Sequence, residues 1–221
     1  PLYSSAASDV YKRQSPTHAP LFSDLVTSAG SHWAQPFIEA LVTAEIITGY
    51  GDRTFRPDLP LSRGQFAALL VQAFDPAPRR PSRTFPDLPA NHWAAGPIDR
   101  AYRAGFLSGL ETGEIAPDAS LPRLQVWLAL ASGLGWPGAP ADRLAQFSDA
   151  AGLPVWAQGA VAAACQRRAI VTYPEPSRLE ASNLTTRAAA CAIVYQALLA
   201  EARFTKPIAS IYIAQPQEKA A

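Results

Sequence analysis

The sequence repeats one pattern of landmarks three times. Each copy opens on a Phe-x-Asp motif, continues through a Trp-Ala pair and reaches an arginine at the start of an apolar run. In chain order, these landmarks are Phe22-Ser23-Asp24, Trp33-Ala34 and Arg63; Phe85-Pro86-Asp87, Trp93-Ala94 and Arg123; and Phe147-Ser148-Asp149, Trp156-Ala157 and Arg187. Tryptophan and arginine are separated by 30 positions in the first two copies and by 31 in the third. This spacing predicts one supersecondary unit used three times, which favours a binding surface over a single catalytic pocket.

Each unit is predicted to contain two amphipathic helices joined by a loop. After Trp33, apolar residues recur every three or four positions, which is helical spacing, and this helix should end before Gly49. The Gly, Asp and Pro residues that follow predict a loop with tight turns, anchored in the core by Phe55. Ser62 is the expected N-cap of the second helix, and Gln65 completes a capping box.

The other two repeats depart from this pattern where their second helices begin. Pro122 replaces the capping serine in the second repeat, which leaves Ser120 as the candidate cap. In the third repeat Thr186 is the expected cap, and Ala189 replaces the glutamine, so half of the capping box remains. The last helix is expected to run to about Glu201.

Six principal helices predict an all-α fold. A single unit buries too little surface to be stable alone, so we expect the three repeats to share one core. We divide the chain into an unstructured N-terminal segment, three repeats and a C-terminal tail, which are residues 1–20, 21–79, 80–140, 141–203 and 204–221. Residues 208–213 are expected to form a short strand or an extended tail.

Composition excludes several classes of function. The net charge is +1 and 17% of the residues are charged, so the chain lacks the excess of Lys and Arg that is typical of a nucleic-acid-binding domain. No segment reaches the roughly 18 apolar residues of a transmembrane helix, and residues 1–20 contain no recognisable signal peptide. No motif for a metal, a cofactor or a catalytic nucleophile is present. We therefore expect a non-catalytic chain without a cofactor.

The ordered motifs resemble the bacterial S-layer homology domain over about residues 21–200. They are Phe-x-Asp, His-Trp-Ala, Gly-Tyr, Phe-x-Pro-Asp and Ser-Arg-x-Gln, and the variant Pro122-Arg123-Leu124-Gln125 resembles cyanobacterial envelope proteins. The resemblance implies three helix-loop-helix repeats packed as a pseudo-threefold bundle. It also implies a module of the cell envelope, in the periplasm or at the cell surface, that binds an acidic, often pyruvylated polysaccharide linked to peptidoglycan. Fusion to further envelope domains would fit such a module.

The resemblance places the ligand in grooves between repeats and makes the repeated arginine its anionic-sugar ligand. The chemistry agrees, because a helix N-terminus attracts anions and the guanidinium fork matches a carboxylate. The tryptophans are interpreted first as core residues and second as platforms for sugar rings. The candidate ligand-binding residues are Arg63, Arg123, Arg187, Gly49, Gly109, Trp33, Trp93, Gln65 and Gln125. Arg187 should matter least, because Tyr173-Pro174-Glu175 replaces its glycine-rich loop and adds a carboxylate.

Other recurring residues are interpreted as structural. The aspartates of the Phe-x-Asp motifs are expected to form caps or turns, as are His32 and His92. Cys165 and Cys191 lie on the two helices of the third repeat, which we expect to pack together and bury both thiols close to each other. An oxidising location would favour a disulfide instead of free thiols.

Two alternatives to wall binding remain open at the level of sequence. One is a structural module that makes protein–protein contacts in an envelope lattice. The other is a targeting module of a larger envelope enzyme or porin.

Overall fold

The computed structural model describes residues 21–28 and 30–215, and the regular secondary structure of this part is mainly helical. The six α-helices are α1 (Gln35–Thr43), α2 (Arg63–Phe74), α3 (Ala95–Arg103), α4 (Arg123–Gly133), α5 (Val155–Gln166) and α6 (Arg187–Ala200). Strands β1 (Val26–Thr27) and β2 (Gly30–Ser31) form a small antiparallel pair, and two short 3₁₀ helices precede α5. The predicted all-α class and its six principal helices are confirmed. The N-terminal segment of residues 1–20 lies outside the described residues.

Local signals predicted the side-chain caps of two of the three second helices, α2 and α6. The Ser62 hydroxyl accepts the Gln65 N–H at 3.2 Å, and the Gln65 side chain accepts the Ser62 N–H at 3.1 Å, so the capping box is confirmed. The Thr186 hydroxyl accepts the Ala189 N–H at 3.1 Å, as expected. The Ser120 cap is wrong, because no side chain caps α4 and Ser120 pairs through its backbone with Ser62.

The segments that precede α2, α4 and α6 meet in a closed ring of backbone hydrogen bonds. The Leu61 N–H donates to the Thr185 carbonyl at 2.9 Å, Thr185 donates to Leu121 at 2.7 Å, and Leu121 donates back to Leu61 at 3.1 Å. Each repeat therefore makes one donor contact and one acceptor contact with the other two at this ring.

Helices pack mainly between repeats. The second helix of each repeat packs against the first helix of the next, so α2 contacts α3, α4 contacts α5, and α6 returns to α1. The expected packing of α5 against α6 is wrong: an amphipathic stripe predicts that a helix is buried but does not name its partner. Among the largest fully buried side chains are Trp127, Phe37, Phe55, Phe66 and Phe74. The three repeats consequently share one core.

Both cysteine thiols are free and buried, which confirms the burial predicted for them. Cys165 lies on α5 and Cys191 on α6. Burial raises the pKa of Cys165 to about 11 and that of Cys191 to about 12. Neither thiol is therefore ionised near neutral pH.

The C-terminal tail is extended. α6 ends at Ala200, close to the predicted end, and Ile213 forms a single antiparallel bridge with Val171. Residues 216–221 of the predicted tail lie beyond the described range. In the portion that the structure describes, no helix is both long enough and apolar enough to cross a membrane.

Candidate functional site

Arg63 starts α2 but inserts its side chain into the loop of the second repeat. Its Nε donates to the Ile115 carbonyl at 2.6 Å and its Nη2 to the Ser108 carbonyl at 2.8 Å. Nη1 donates to the Gln125 side chain at 3.1 Å. The residue is 6% exposed, and this burial lowers its pKa. Arg63 thus joins two repeats while its outer edge reaches a groove between them.

Arg187 repeats this arrangement at the loop of the first repeat. Its Nε donates to the Phe55 carbonyl at 3.0 Å and its Nη2 to the Thr48 carbonyl at 3.4 Å. The guanidinium also lies over the rings of Phe55 and Tyr50, 4.6 Å and 5.0 Å from their centroids. Nη1 forms no hydrogen bond with any residue of the described structure, and the side chain lines a groove. Arg187 therefore retains a donor for a ligand.

Arg123 contacts the loop of the third repeat. Its Nη2 donates to the Tyr173 carbonyl, and its Nη1 lies 3.3 Å from both the Leu179 carbonyl and the Glu180 carboxylate. The expectation that Arg187 faces the Tyr173 loop is wrong, because each arginine reaches into the repeat that follows its own. The carboxylate expected near Arg187, that of Glu175, instead accepts hydrogen bonds from Ser177, and the carboxylate that pairs with Arg123 is that of Glu180.

Two of the grooves between the repeats are built from equivalent parts. Groove A has a volume of about 350 Å³ and is lined by residues 45–48, α2, Trp93 and Arg187. Groove B has a volume of about 410 Å³ and is lined by residues 105–110, α4, Trp156 and Arg63. Each groove takes its loop and helix from one repeat, its tryptophan from the next repeat and its arginine from the previous one. All three repeats thus contribute to each groove.

The tryptophans of the repeat do not share one environment. Trp93 is 57% exposed and Trp156 is 73% exposed, so the expected core position is wrong for both. Trp33 is half-buried and stacks on Tyr173, with 4.6 Å between ring centroids and an angle of 9°. Trp156 was not among the candidate residues, although its equivalence to Trp93 in the repeat could have identified it.

Gly64 explains how Trp93 is held at the rim of groove A. A Cβ at Gly64 would lie 3.2 Å from Cζ2 of Trp93 and 2.9 Å from Cβ of Ala94. The missing side chain lets the indole lie against α2 while one face remains in solvent.

The loops that line the grooves are held by the aspartates of the Phe-x-Asp motifs. Asp24 accepts the backbone N–H groups of Phe55 at 2.8 Å and Arg56 at 2.6 Å. Arg56 has a φ of 56°, a left-handed conformation that is uncommon for a residue other than glycine. Asp87 and Asp149 accept the corresponding N–H pairs in the other two repeats. The turn-forming role predicted for these aspartates is confirmed.

Gly49 and Gly109 are required by packing. A Cβ at Gly49 would lie 2.0 Å from a ring carbon of Phe22, and a Cβ at Gly109 would lie 3.0 Å from one of Phe85. Both glycines therefore accommodate the phenylalanine of the Phe-x-Asp motif. Gly109 also lines groove B, where a ligand could approach it.

The glutamines and histidines have separate roles. Gln65 lines groove A while it completes the cap of α2, and Gln125 lines groove B beside Arg63. His32 accepts the Ala34 N–H through Nδ1 at 3.2 Å, and His92 makes the equivalent contact at 3.1 Å. These contacts confirm both histidines as turn residues. The described residues contain no cluster of side chains suited to a metal ion.

Comparison with known proteins finds a family model that matches the first two repeats. The family model described as the S-layer homology domain matches residues 22–67 and 84–126. Each match runs from the Phe-x-Asp region into the second helix of a repeat. The third repeat has the same landmark residues but lies outside the matched segments.

Curated relatives include surface proteins and enzymes. Cell surface glycoprotein 1 of Acetivibrio thermocellus is 39% identical over 80 residues, which is 36% of this chain and 3% of that protein. The cellulosome-anchoring protein of the same organism is 41% identical over 64 residues, or 28% and 14% of the two chains. An endoglucanase of Bacillus sp. (strain KSM-635) is 32% identical over 113 residues, or 51% and 12%. The chain thus spans less than a sixth of the length of these relatives.

Proposed function

Since this chain carries S-layer homology domains at residues 22–67 and 84–126, we propose that it is a non-catalytic module that anchors a protein to the cell wall. Its ligand is an acidic polysaccharide linked to peptidoglycan, bound in grooves A and B. Its location is the cell envelope, in the periplasm or at the cell surface. The relatives that are named as surface and anchoring proteins support this proposal.

The observation that carries the proposal is an exposed indole beside an arginine in each of grooves A and B. Exposed aromatic faces in a concave site suit the apolar faces of sugar rings. Trp93 faces groove A and Trp156 faces groove B, each opposite a helix that presents neutral polar side chains. This combination suits a carbohydrate.

The arginines supply the preference for an acidic sugar. In groove A, Nη1 of Arg187 is available to donate to a carboxylate such as a pyruvyl group. In groove B, a carboxylate would take the place of the Gln125 side chain at Nη1 of Arg63. Groove A therefore accepts an anion with less rearrangement than groove B.

We extend the proposal to all three repeats, arranged as one pseudo-threefold body. The ring through Leu61, Thr185 and Leu121 and the packing of helices between successive repeats support this arrangement. The third repeat, residues 141–203, has the same aspartate contacts and the same arginine insertion as the other two. Since each groove takes residues from every repeat, the functional unit is the triplet.

The relatives that are enzymes favour a second, compatible role. The chain covers 12% of the endoglucanase and 15% of an exoglucanase from Acetivibrio thermocellus. We propose that such repeats act as targeting modules whose catalytic or other envelope domains lie elsewhere in a longer protein. A module for protein–protein contacts in an envelope lattice remains the competing function.

A sedimentation experiment separates the proposed function from its competitor. Purified peptidoglycan, before and after acid removal of its attached polysaccharide, is mixed with the chain and centrifuged. Wall binding predicts that the chain sediments with intact peptidoglycan and stays in solution with the stripped material. Equal sedimentation with both, or with neither, would rule out the polysaccharide as ligand.

A further inference from the structure

We infer that residues 204–215, here called the strap, occupy a third groove built like grooves A and B and withhold it from ligand. The inference rests on the proposed function, because it assigns the same class of polysaccharide ligand to the third groove. It gives the chain two open sites and one closed site.

The third groove has the parts found in the open grooves. Its loop and helix come from the third repeat, as residues 168–173 and α6. Arg123 from the previous repeat donates to the Tyr173 carbonyl, and Trp33 from the first repeat stacks on the Tyr173 ring. The third groove therefore takes its loop and helix from one repeat, its tryptophan from the next and its arginine from the previous one, as grooves A and B do.

The strap is bonded along the loop of this groove. The Thr172 N–H donates to the Tyr212 carbonyl at 2.9 Å, and the Ala214 N–H donates to the Ile170 carbonyl at 3.0 Å. The Tyr212 ring packs edge-on against Trp33 and Tyr173, with centroids 5.6 Å and 4.9 Å away. Tyr212 thus covers the aromatic surface that a sugar would use.

Equivalent positions of α6 and α2 differ in their exposure. In α6, Ala189, Ala192 and Gln196 are 5%, 0% and 4% exposed. At the equivalent positions of α2, Gln65 is half-buried and Gln72 is exposed. The outer face of α6 is therefore closed where that of α2 is open.

The strap is anchored by apolar side chains along its length, since Phe204, Ile208 and Tyr212 are partly buried against the core. Ile213 and Ala214 are buried at 4% and 7% exposure, whereas Ile211 is 77% exposed. The hydrogen-bonded ring between the repeats does not involve the strap. Glu180 is ion-paired with Arg123, so the opened groove should bind an acidic sugar more weakly than grooves A and B.

The test compares the double variant Tyr212→Ala/Ile213→Ser with Ile211→Ala, a control in the same segment whose side chain is exposed. Hydrogen exchange reports on the amides of Thr172 and Ala214. Calorimetry with wall polysaccharide fragments released by a muramidase reports the number of sites. We expect two sites for the wild type and the control. The double variant should lose protection at these amides alone and bind at a third, weaker site.

The other outcomes separate this inference from the proposed function. If the two amides lose protection and the number of sites stays at two, the third groove is not a ligand site and the inference fails. If the double variant unfolds or keeps its protection, a chain lacking residues 207–221 replaces it, and two sites in that folded chain also overturn the inference. If the strap of the double variant opens locally but the wild type binds no fragment, the proposed function fails.

Discussion

Arg63 donates from Nε to the carbonyl oxygen of Ile115 at 2.6 Å, although the two residues lie 52 positions apart in the sequence. The contact places a charged side chain from one repeat inside the loop of the next. Arg187 makes the equivalent contact with Phe55. The repeated arginine is thus a structural link between repeats as well as a candidate ligand.

Arg63→Ala should therefore lower stability as well as binding. It leaves the Ile115 and Ser108 carbonyls without their donors in a buried site, and each such loss costs about 1–3 kcal/mol. We expect the free energy of unfolding, measured by urea denaturation, to fall by about 2–4 kcal/mol. Arg178→Ala, at an exposed arginine, is the control and should change it by less than about 0.5 kcal/mol. If Arg63→Ala and Arg178→Ala have the same free energy of unfolding, the hydrogen bonds of Arg63 with the second repeat do not stabilise the chain.

Gly49→Ala should destabilise the chain through a steric clash. The new Cβ would lie 2.0 Å from the ring of Phe22, so the ring or the loop must move. Forcing a methyl group into a packed site costs about 1–3 kcal/mol. Gly51→Ala, where a Cβ would meet nothing within 4 Å, is the matched control. Thermal unfolding of both variants checks the difference, and a lower midpoint for Gly51→Ala would contradict it.

The contact of Asp87 with the loop predicts a loss of stability in acid. Burial works to raise the pKa of Asp87, but the N–H groups of Ile115 and Ala116, together with the charge of Arg63, outweigh it and lower the pKa. Because the pKa of Asp87 is lower in the folded state, its carboxylate stabilises the fold at pH values above the ordinary aspartate pKa, near 4. This stability is lost as the pH falls through the pKa of Asp87 in the folded state.

The measurement is the urea midpoint between pH 7 and pH 2.5. The Asp87→Asn variant should be less stable than the wild type at pH 7, and its curve should be flatter below pH 4. The exposed Glu111→Gln variant serves as the control and should follow the wild type. Parallel curves for wild type and Asp87→Asn would exclude a stabilising role for the Asp87 carboxylate.

Both cysteines should resist labelling in the folded chain. The thiolate is the reactive form, and burial raises the pKa of Cys165 to about 11 and that of Cys191 to about 12. With Ellman's reagent at pH 8, we expect almost no reaction in buffer and two reacting thiols per chain in denaturant. Rapid reaction of either thiol in buffer would contradict its burial.

Sequence patterns predicted the contacts that are local. Ser62 and Gln65 are three residues apart, so their capping box follows from the chemistry of a few neighbouring groups. The partner of each arginine and of each helix could not be predicted in the same way. Helical spacing defines a buried face, but the choice between packing within a repeat and packing with the next depends on tertiary contacts.

The tryptophans show the same limit within the site. Trp33, Trp93 and Trp156 occupy equivalent places in the repeat, yet their exposure depends on what the neighbouring repeat presents. Trp33 meets Tyr173 and Tyr212 and is partly covered, whereas Trp156 stands in solvent. Repetition in the sequence locates the candidate positions, and the structure decides which of them are open.

The exposed tryptophans allow the central claim to be tested without disturbing the core. The measurement is the affinity of the double variant Trp93→Ala/Trp156→Ala for intact peptidoglycan, with Val155→Ala as the control because Val155 is exposed and adjacent to Trp156. Loss of aromatic contact with a sugar is worth about 1–2 kcal/mol per groove, or roughly tenfold in affinity. The account predicts a folded double variant that binds at least about tenfold more weakly, with Val155→Ala unchanged. A folded double variant that binds the wall with wild-type affinity would contradict the groove model.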